Sequence, residues 1–341
     1  MPRAMSETRA QGQAGEIAFR NVGKRYPGRE RPALQDLTFE VPAGDICVLI
    51  GPSGCGKTTA LKLVNRLISM SAGDITIDGR SVNDFALTDL RRGIGYVFQE
   101  IGLFPHMTIE DNIGAVPRLL GWSKTRIRER AGELLELVGL DPAGDLRRYP
   151  GEFSGGQQQR VGVARAMAVD PPIMLMDEPF GAIDPITRDR LQNDFLRLHR
   201  QVRKTVIFVT HDIDEAIKMG DWIAIMREGQ LVQWGTSDEL LASPANDFVA
   251  SFVGADRGLK RLGVWTMRDV ELEPVSGAPG PTARVETSLR DVLSLMLTEG
   301  TNHVDAVDEN GTPLGRIRME TITQLVGPGG APGAKDEVAR V

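Results

Sequence analysis

The sequence predicts an α/β fold built on a largely parallel sheet, with a smaller α/β module after it. Three observations carry this prediction. Residues 45–51 (DICVLIG), the run closing at Leu175 to Asp177 and residues 206–210 (VIFVT) are compact apolar stretches that read as buried strands. Residues 57–69 follow the first of them with helical composition, and further helical text separates the others. Buried strands alternating with helices are the pattern of a parallel sheet covered by its own connections.

The remaining elements follow in chain order. Residues 1–15 are polar and read as a flexible tail, with no apolar stretch of signal-peptide type. Ile17, Phe19 and Val22 have strand character, and Leu37, Phe39 and Val41 alternate with polar neighbours as a half-buried strand does. Residues 120–140 and 186–203 mix charged and apolar side chains at helical spacing, which predicts amphipathic helices. After Val253 the character changes. Residues 255–260 are polar and read as a linker, and residues 262–326 form a shorter α/β text broken by the Gly/Pro-rich stretch 276–281. The low-complexity tail from Gly327 reads as disordered. The expected organisation is a tail over 1–15, a main domain over 16–255, a linker and small domain over 256–326, and a tail over 327–341.

Bulk properties narrow the function classes. The 341 residues carry 40 basic and 46 acidic side chains, a net charge of −6, which gives no basic footprint for nucleic acid. Cys47 and Cys55 are the two cysteines, and their spacing does not suggest a disulfide framework; a reducing cytoplasm is expected. No apolar run approaches the roughly 18–20 residues that cross a bilayer. A membrane process served by this chain would take its channel from another polypeptide.

Residues 51–59 (GPSGCGKTT) carry the first candidate site. Gly51, Gly56, Lys57 and Thr58 fit the G-x-x-x-x-G-K-[ST] phosphate loop. Glycines let consecutive amides face a polyphosphate, and the following helix brings its positive end there. Lys57 would neutralise β/γ-phosphate charge, and the short Thr58 hydroxyl would ligate Mg²⁺. Pro52, Ser53, Gly54, Cys55 and Thr59 complete the nucleotide-contacting loop. Residues 172–179 (PIMLMDEP) end a strand with two carboxylates, where ligands bind in open α/β sheets. Alone, that Asp-Glu pair reads more readily as a solvated strand end. Beside a phosphate loop, Asp177 would hold Mg²⁺ through water and Glu178 would orient the attacking water.

Between these motifs lies residues 153–160 (FSGGQQQR). Ser154, Gly155, Gly156 and Gln157 resemble the signature motif of the ABC ATPases, and the family's other motifs occur in order. Tyr26, about 25 residues before the phosphate loop, resembles the aromatic that stacks on adenine. Gln99 resembles the glutamine that touches Mg²⁺ and the attacking water while sensing the permease. Residues 181–184 (GAID), ending in Asp184, resemble the loop that contacts the opposite subunit, and His211 resembles the switch histidine at the γ-phosphate. Two positions depart from the family pattern. Phe153 stands where leucine is usual, and Gly181 where serine is usual.

The resemblance implies a P-loop ABC-type ATPase domain with a mainly parallel core sheet, an antiparallel β subdomain and a helical subdomain. It implies ATP and Mg²⁺ as cofactors and a head-to-tail homodimer in which residues 154–157 of one subunit complete the ATP site of the other. It also implies permease subunits and, indirectly, a substrate-binding protein as partners, with a peripheral location on the cytoplasmic face of the cell membrane. One ATPase unit without a fused membrane segment resembles bacterial importers. Residues 99–122 (QEIGLFPHMTIEDNIGAVPRLLGW) resemble the ATPases that import glycine betaine, choline and carnitine. The rival class, soluble ABC proteins acting on DNA or ribosomes, carries two ATPase units or a coiled-coil insert, and neither is seen here.

Residues 262–326 resemble a single CBS repeat, a β-α-β-β-α module, through residues 287–297, 302–308 and 310–317. Such repeats pack in pairs, which implies a second repeat from the other subunit. Nucleotide-binding repeats often end in G-x-x-[ST]-x-x-D. The corresponding residues are Gly315, Arg318 and Thr321, so the ribose-binding aspartate is missing. Five arginines face ten acidic residues between Leu262 and Val326, but Arg316 and Arg318 remain candidates for a local basic patch.

Overall fold

A computed structural model describes residues 14–98, 102–181 and 183–326. Packing divides the chain into two compact units. One comprises residues up to 212 together with 219–234; the other comprises residues 213–218 and those from 235 onward.

The first unit holds two sheets. β1 (Ile17–Lys24), β2 (Leu34–Val41), β4 (Ala72–Ile77) and β5 (Arg80–Ser81) form an antiparallel sheet in the order β2-β1-β4-β5. Its alternation is visible in β2, where Leu34, Leu37, Phe39 and Val41 are buried and their neighbours exposed. Phe19 and Phe39 stack across the β1–β2 pair with centroids 4.4 Å apart, the cross-strand aromatic contact that stabilises such pairs. The second sheet has the order β10-β9-β3-β8-β7-β6. Its strands are β3 (Ile46–Ile50), β6 (Ile94–Val97), β7 (Ile173–Asp177), β8 (Thr205–Val209), β9 (Trp222–Arg227) and β10 (Gln230–Gly235). β3, β6, β7, β8 and β9 pair in parallel.

β3, β7 and β8 are buried at all five of their positions. Side chains are buried on both faces, so these strands read as continuous apolar runs instead of alternating ones. They are neighbours in the order β3-β8-β7 and run in parallel, so their C-terminal ends lie side by side. That adjacency collects the phosphate loop, the acidic pair and the histidine at one edge of the sheet.

Four helices of this unit matter for the site: α1 (Lys57–Val64), α2 (Lys124–Leu137), α3 (Gly155–Ala166) and α4 (Pro185–Val202). Each of the last three starts at a side-chain cap. Ser123 accepts from the Arg126 N–H, Ser154 from the Gln157 N–H and Asp184 from the Thr187 N–H. Such caps satisfy backbone donors that a helix start leaves open. α1 ends before Ser69 because Arg66 takes a left-handed φ of 46°.

In the second unit, α5 (Ser237–Ala242), α6 (Asp247–Val253) and α7 (Arg257–Val264) group with the C-terminal module. The sequence reading assigns 237–253 to the main domain and 255–260 to a linker. Residues 257–264 instead form helix α7. Its charges, which make it read as solvated text, are satisfied by ion pairs: Lys260 with Asp256 and Asp214, and Arg261 with Asp238 at 2.8 Å. The elements that follow are β11 (Thr282–Arg284), α8 (Leu289–Glu299), β12 (His303–Val307), β13 (Pro313–Arg318) and α9 (Met319–Val326), in the β-α-β-β-α order expected. β11 pairs with β12 in parallel and β12 with β13 antiparallel. Trp265, Met267, Val292, Met296, Val304 and Ile317 fill their core.

The basic patch expected from Arg316 and Arg318 does not form. Arg316 is 3% exposed. Its guanidinium grips Asp305 through two bonds of 2.6 and 3.0 Å and donates to the carbonyls of Ala278 and Ser276. Arg318 pairs with Glu273 at 2.8 Å. The buried fork pins the Gly/Pro-rich stretch to the sheet, a role suited to the planar guanidinium. The Arg316 hydrogen bond holds the Asp305 carboxyl below its ordinary value. A depressed folded value contributes stability above the unfolded carboxylate range, about pH 3.9, that is lost as pH falls through the folded value. Asp305→Asn should therefore be less stable than the native chain at pH 7, with the difference narrowing in acid. Urea unfolding of both chains at pH 7 and pH 3 measures it, and a gap that stays constant rules the coupling out.

Candidate functional site

The phosphate loop spans the end of β3 and the start of α1. Gly51, Gly54 and Gly56 have φ values of 151°, 80° and 111°, conformations that side chains resist. At two of these positions packing forbids a side chain as well. A Cβ on Gly51 would lie 2.1 Å from the Met226 carbonyl oxygen, and one on Gly56 would lie 2.6 Å from Leu34 Cδ2 and 2.7 Å from the Ala33 oxygen. Gly51→Ala should cost about 3 kcal/mol of stability through backbone strain and overpacking together. Thermal unfolding of that variant within a degree of the native chain would refute the geometry.

Lys57 is the first residue of α1 and is 7% exposed. Its ammonium donates to the Gly51 carbonyl at 2.7 Å and the Pro52 carbonyl at 3.2 Å, and Cys55 Sγ lies 3.8 Å away. The next residue, Thr58, donates its hydroxyl to Asp177 Oδ1 at 2.9 Å. This bond ties α1 to the end of β7. Burial pushes the Asp177 carboxyl above its ordinary value; the Thr58 hydroxyl opposes the rise and the Glu178 charge adds to it. A buried, charge-crowded carboxylate gains from a cation.

Glu178 follows at the strand end with a left-handed φ of 47°, unusual for a residue with a side chain. Its peptide is anchored on both sides. The N–H donates to the Val209 carbonyl at 3.0 Å, while its own carbonyl accepts from the Gly181 N–H at 3.1 Å and from Gln159 Nε2 at 3.1 Å. The turn aims the carboxylate at His211, whose Nδ1 lies 3.3 Å from Glu178 Oε2. His211 is well exposed and lies two residues past the end of β8, after Thr210.

The structure therefore brings together Lys57, Thr58, Asp177, Glu178 and His211 through hydrogen bonds and adjacent strand ends. The other sequence-derived residues keep local partners. Ser154 and Gln157 form a reciprocal capping box at the start of α3, with bonds of 3.3 and 2.9 Å. Asp184 caps α4, and the Thr187 N–H holds its carboxyl below the ordinary range. Tyr26 is half-buried with the Lys24 ammonium 5.0 Å from its ring centre. The recess it lines is formed with Arg25, Arg29 and Asp36, without residues of the phosphate loop. Gln99 lies outside the described residues. The departures are sterically benign. Phe153 is buried under the Arg148 guanidinium at 4.4 Å, and a Cβ on Gly181 would make only ordinary contacts with Glu178, the nearest at 3.5 Å.

One contributor escaped the sequence reading. Gln159 is 2% exposed and sits on the buried stripe of α3 with Val163 and Ala166. A glutamine at an apolar-face position was the available signal.

Comparison with known proteins identifies relatives of this chain and of its fold. The family model described as ABC transporter matches residues 34–181. The chain is 52% identical over 305 residues to the osmoprotectant import ATP-binding protein OsmV of Salmonella typhimurium, covering 89% of this chain and 79% of that one. It is 46% identical to the choline transport ATP-binding protein OpuBA of Bacillus subtilis, over 90% of this chain and 80% of the relative. The glycine betaine uptake system ATP-binding protein YehX of Escherichia coli is 42% identical, over 90% and 98% of the two chains. Among solved structures, the dimeric bacterial ABC transporter cassette MJ0796 superposes with a TM-score of 0.60 at 35% identity, covering 64% of this chain and 98% of that one. The same cassette in a post-hydrolysis state bound to ADP and Pi superposes equally well, with a TM-score of 0.60. A phosphate loop hydrogen-bonded to an acidic strand end, on a fold shared with a nucleotide-bound cassette and in a sequence shared with transport subunits along most of its length, means that this chain belongs to the ATP-binding proteins of ABC transporters, ATPases whose activity is coupled to transport.

Proposed function

We propose that the chain is the ATPase subunit of an importer for quaternary-amine compatible solutes such as glycine betaine, choline or carnitine. The observation that carries the solute class is the extent of the match. An alignment of 305 residues at 52% identity is too long to fit within residues 17–253, where the ATPase motifs lie. Likeness therefore extends into the C-terminal module, beyond what every ABC ATPase shares. ATP-driven uptake into vesicles holding the neighbouring permease and binding protein, measured with the three solutes, tests the assignment. Uptake of none of them overturns it.

At the site, the backbone N–H groups of residues 53–57 and the Lys57 ammonium cradle the β- and γ-phosphates, whose oxygens are stronger acceptors for that ammonium than the carbonyls of Gly51 and Pro52. Magnesium fits beside them. Thr58 and Asp177 present oxygen donors in mutual contact, the ligand type a hard cation takes. No group of three or more His, Cys, Asp or Glu able to hold a metal occurs among the described residues; phosphate oxygens and Gln99, as the family resemblance implies, would supply the remaining donors. When bound, the ion neutralises phosphate charge. Glu178 orients the attacking water and accepts its proton, and His211 fixes the Glu178 carboxylate and reaches the γ-phosphate. Tyr26 stacks on the adenine.

Two copies act head to tail, with residues 154–157 and Asp184 of each facing the nucleotide of the other. The packing of two glycines supports this. Gly155 has no atom within 4 Å of a built Cβ, and Gly156 meets only Ile183 at 3.8 Å. Glycine at a helix start costs up to about 1 kcal/mol against alanine, and nothing in its own subunit requires it there. Close approach of an outside anion to the open N–H groups does. No helix among the described residues is long and apolar enough to cross a membrane. The channel belongs to permease subunits against which this chain docks at the cytoplasmic face, and a substrate-binding protein delivers the solute.

A further inference from the structure

We propose that Gln159 is a positioning residue that couples the two ATP sites of the dimer, an inference that rests on the site reading above. It is carried by α3, the helix whose first turn presents Gly155 and Gly156. Its Nε2 donates to the Glu178 carbonyl at 3.1 Å. One end of this helix therefore faces the partner's nucleotide while its second turn holds the peptide behind the water-orienting carboxylate of its own site.

The setting argues that this bond is the reason for the residue. Gln159 is 2% exposed, and it lines a small, mostly apolar cavity of about 30 Å³ together with Pro179, Phe180 and Ile183. Its Oε1 has no hydrogen-bond partner. A carbonyl accepts only from the nitrogen end of the amide, so Glu178 fixes which way the side chain points. A buried amide with one end unsatisfied is disfavoured against leucine or methionine in such a place. Its single bond goes to the peptide carbonyl of Glu178, a residue whose backbone is in the left-handed region at φ 47°. That peptide has little freedom: Val209 and Gly181 hold it as well. A small displacement of α3 is therefore passed to the direction of the Glu178 side chain and not absorbed in a flexible loop. Ile183, the nearest neighbour of a Cβ built on Gly156, lines the same cavity, so the first turn of α3 and the 181–184 loop move against one surface.

Steady-state ATPase of the full chain against ATP concentration tests the coupling, using the native protein, Gln159→Met and Gln159→Leu. Both variants fill the volume without a donor. The expected result is a kcat lower by about tenfold, the loss of one buried hydrogen bond in the transition state. ATP affinity should be unchanged, and the Hill coefficient should fall from above 1 towards 1. A purely structural role would lower the unfolding temperature and leave the Hill coefficient alone. Native kcat and cooperativity in both variants, absence of cooperativity in the native protein, or unfolding of both variants overturns the proposal. Glu178→Gln separates the coupling from the role of Glu178 itself. Hydrolysis abolished by Glu178→Gln alongside an unaffected Gln159→Met keeps the reading and discards the coupling, whereas hydrolysis untouched by Glu178→Gln discards the reading itself.

Discussion

Replacing Glu178 by glutamine should leave ATP binding intact and lower hydrolysis by about 10²–10⁴-fold, the usual contribution of a positioned general base. The substitution is conservative in every respect except the one that matters. Glutamine has the same length, tolerates the same backbone, and its amide can still meet His211 Nδ1, now 3.3 Å from the carboxylate. It cannot take a proton from water. The change also removes a negative charge beside Asp177, whose carboxyl is pushed up partly by that charge. Asp177 then ionises more readily, so cation and nucleotide are held no less well. On the proposed head-to-tail pairing, the uncleaved γ-phosphate keeps the phosphate loop of one subunit joined to α3 of the other, and the dimer should accumulate. Single-turnover phosphate release and size-exclusion chromatography with ATP measure the two effects. Turnover within tenfold of the native chain would remove Glu178 from the water-orienting role.

What was legible in the sequence was local and repeated. β3, β7 and β8 stand out because a strand buried on both faces needs an unbroken apolar run, and the phosphate loop because strained glycines precede a lysine and a hydroxyl at fixed spacing. The misreadings share one cause: a polar group whose partner is far away in sequence. Thr205 opens β8 one residue before the apolar run, and it is buried because its hydroxyl accepts from the Gly44 N–H at 2.9 Å. Residues 257–264 look like solvated linker until Asp214 and Asp238 supply counter-charges. Arg316 looks like surface charge until Asp305 and two carbonyls of the 276–281 stretch enclose it. Gln159 follows the same rule, since its acceptor is 19 residues on. Periodicity records which face is buried; it does not record which polar group on that face has been satisfied.

Lys57→Ala should weaken ATP binding by about 2–3 kcal/mol, roughly 30–150-fold in Kd, the worth of a buried charge-assisted hydrogen bond. The ammonium is held in place by the loop itself. Two loop carbonyls fix it at 2.7 and 3.2 Å, and the residue opens α1 in a pocket where it is 7% exposed. Its entropy is therefore already lost in the folded chain, and a phosphate that displaces the carbonyls gains the full interaction of an ordered, poorly hydrated cation. The same arrangement predicts a cost in stability, because alanine leaves the buried Gly51 carbonyl without its side-chain donor. The two losses can be separated. Lys57→Arg retains charge and donors but not the compact point charge that fits between Gly51 and Pro52. It should keep most of the stability and recover little of the affinity. Titration calorimetry with ATP, set beside thermal unfolding of the same proteins, reads both quantities. Unchanged affinity in Lys57→Ala would refute the phosphate-loop assignment, and with it the means by which one nucleotide joins two subunits. Affinity lost only in proportion to stability would instead make Lys57 a structural tether of the loop. The distinction bears on the dimer directly. A lysine that binds phosphate should, when removed, also abolish the ATP-dependent dimer of the Glu178→Gln chain, whereas a lysine that merely braces the loop should leave that dimer in place once ATP is raised to saturation.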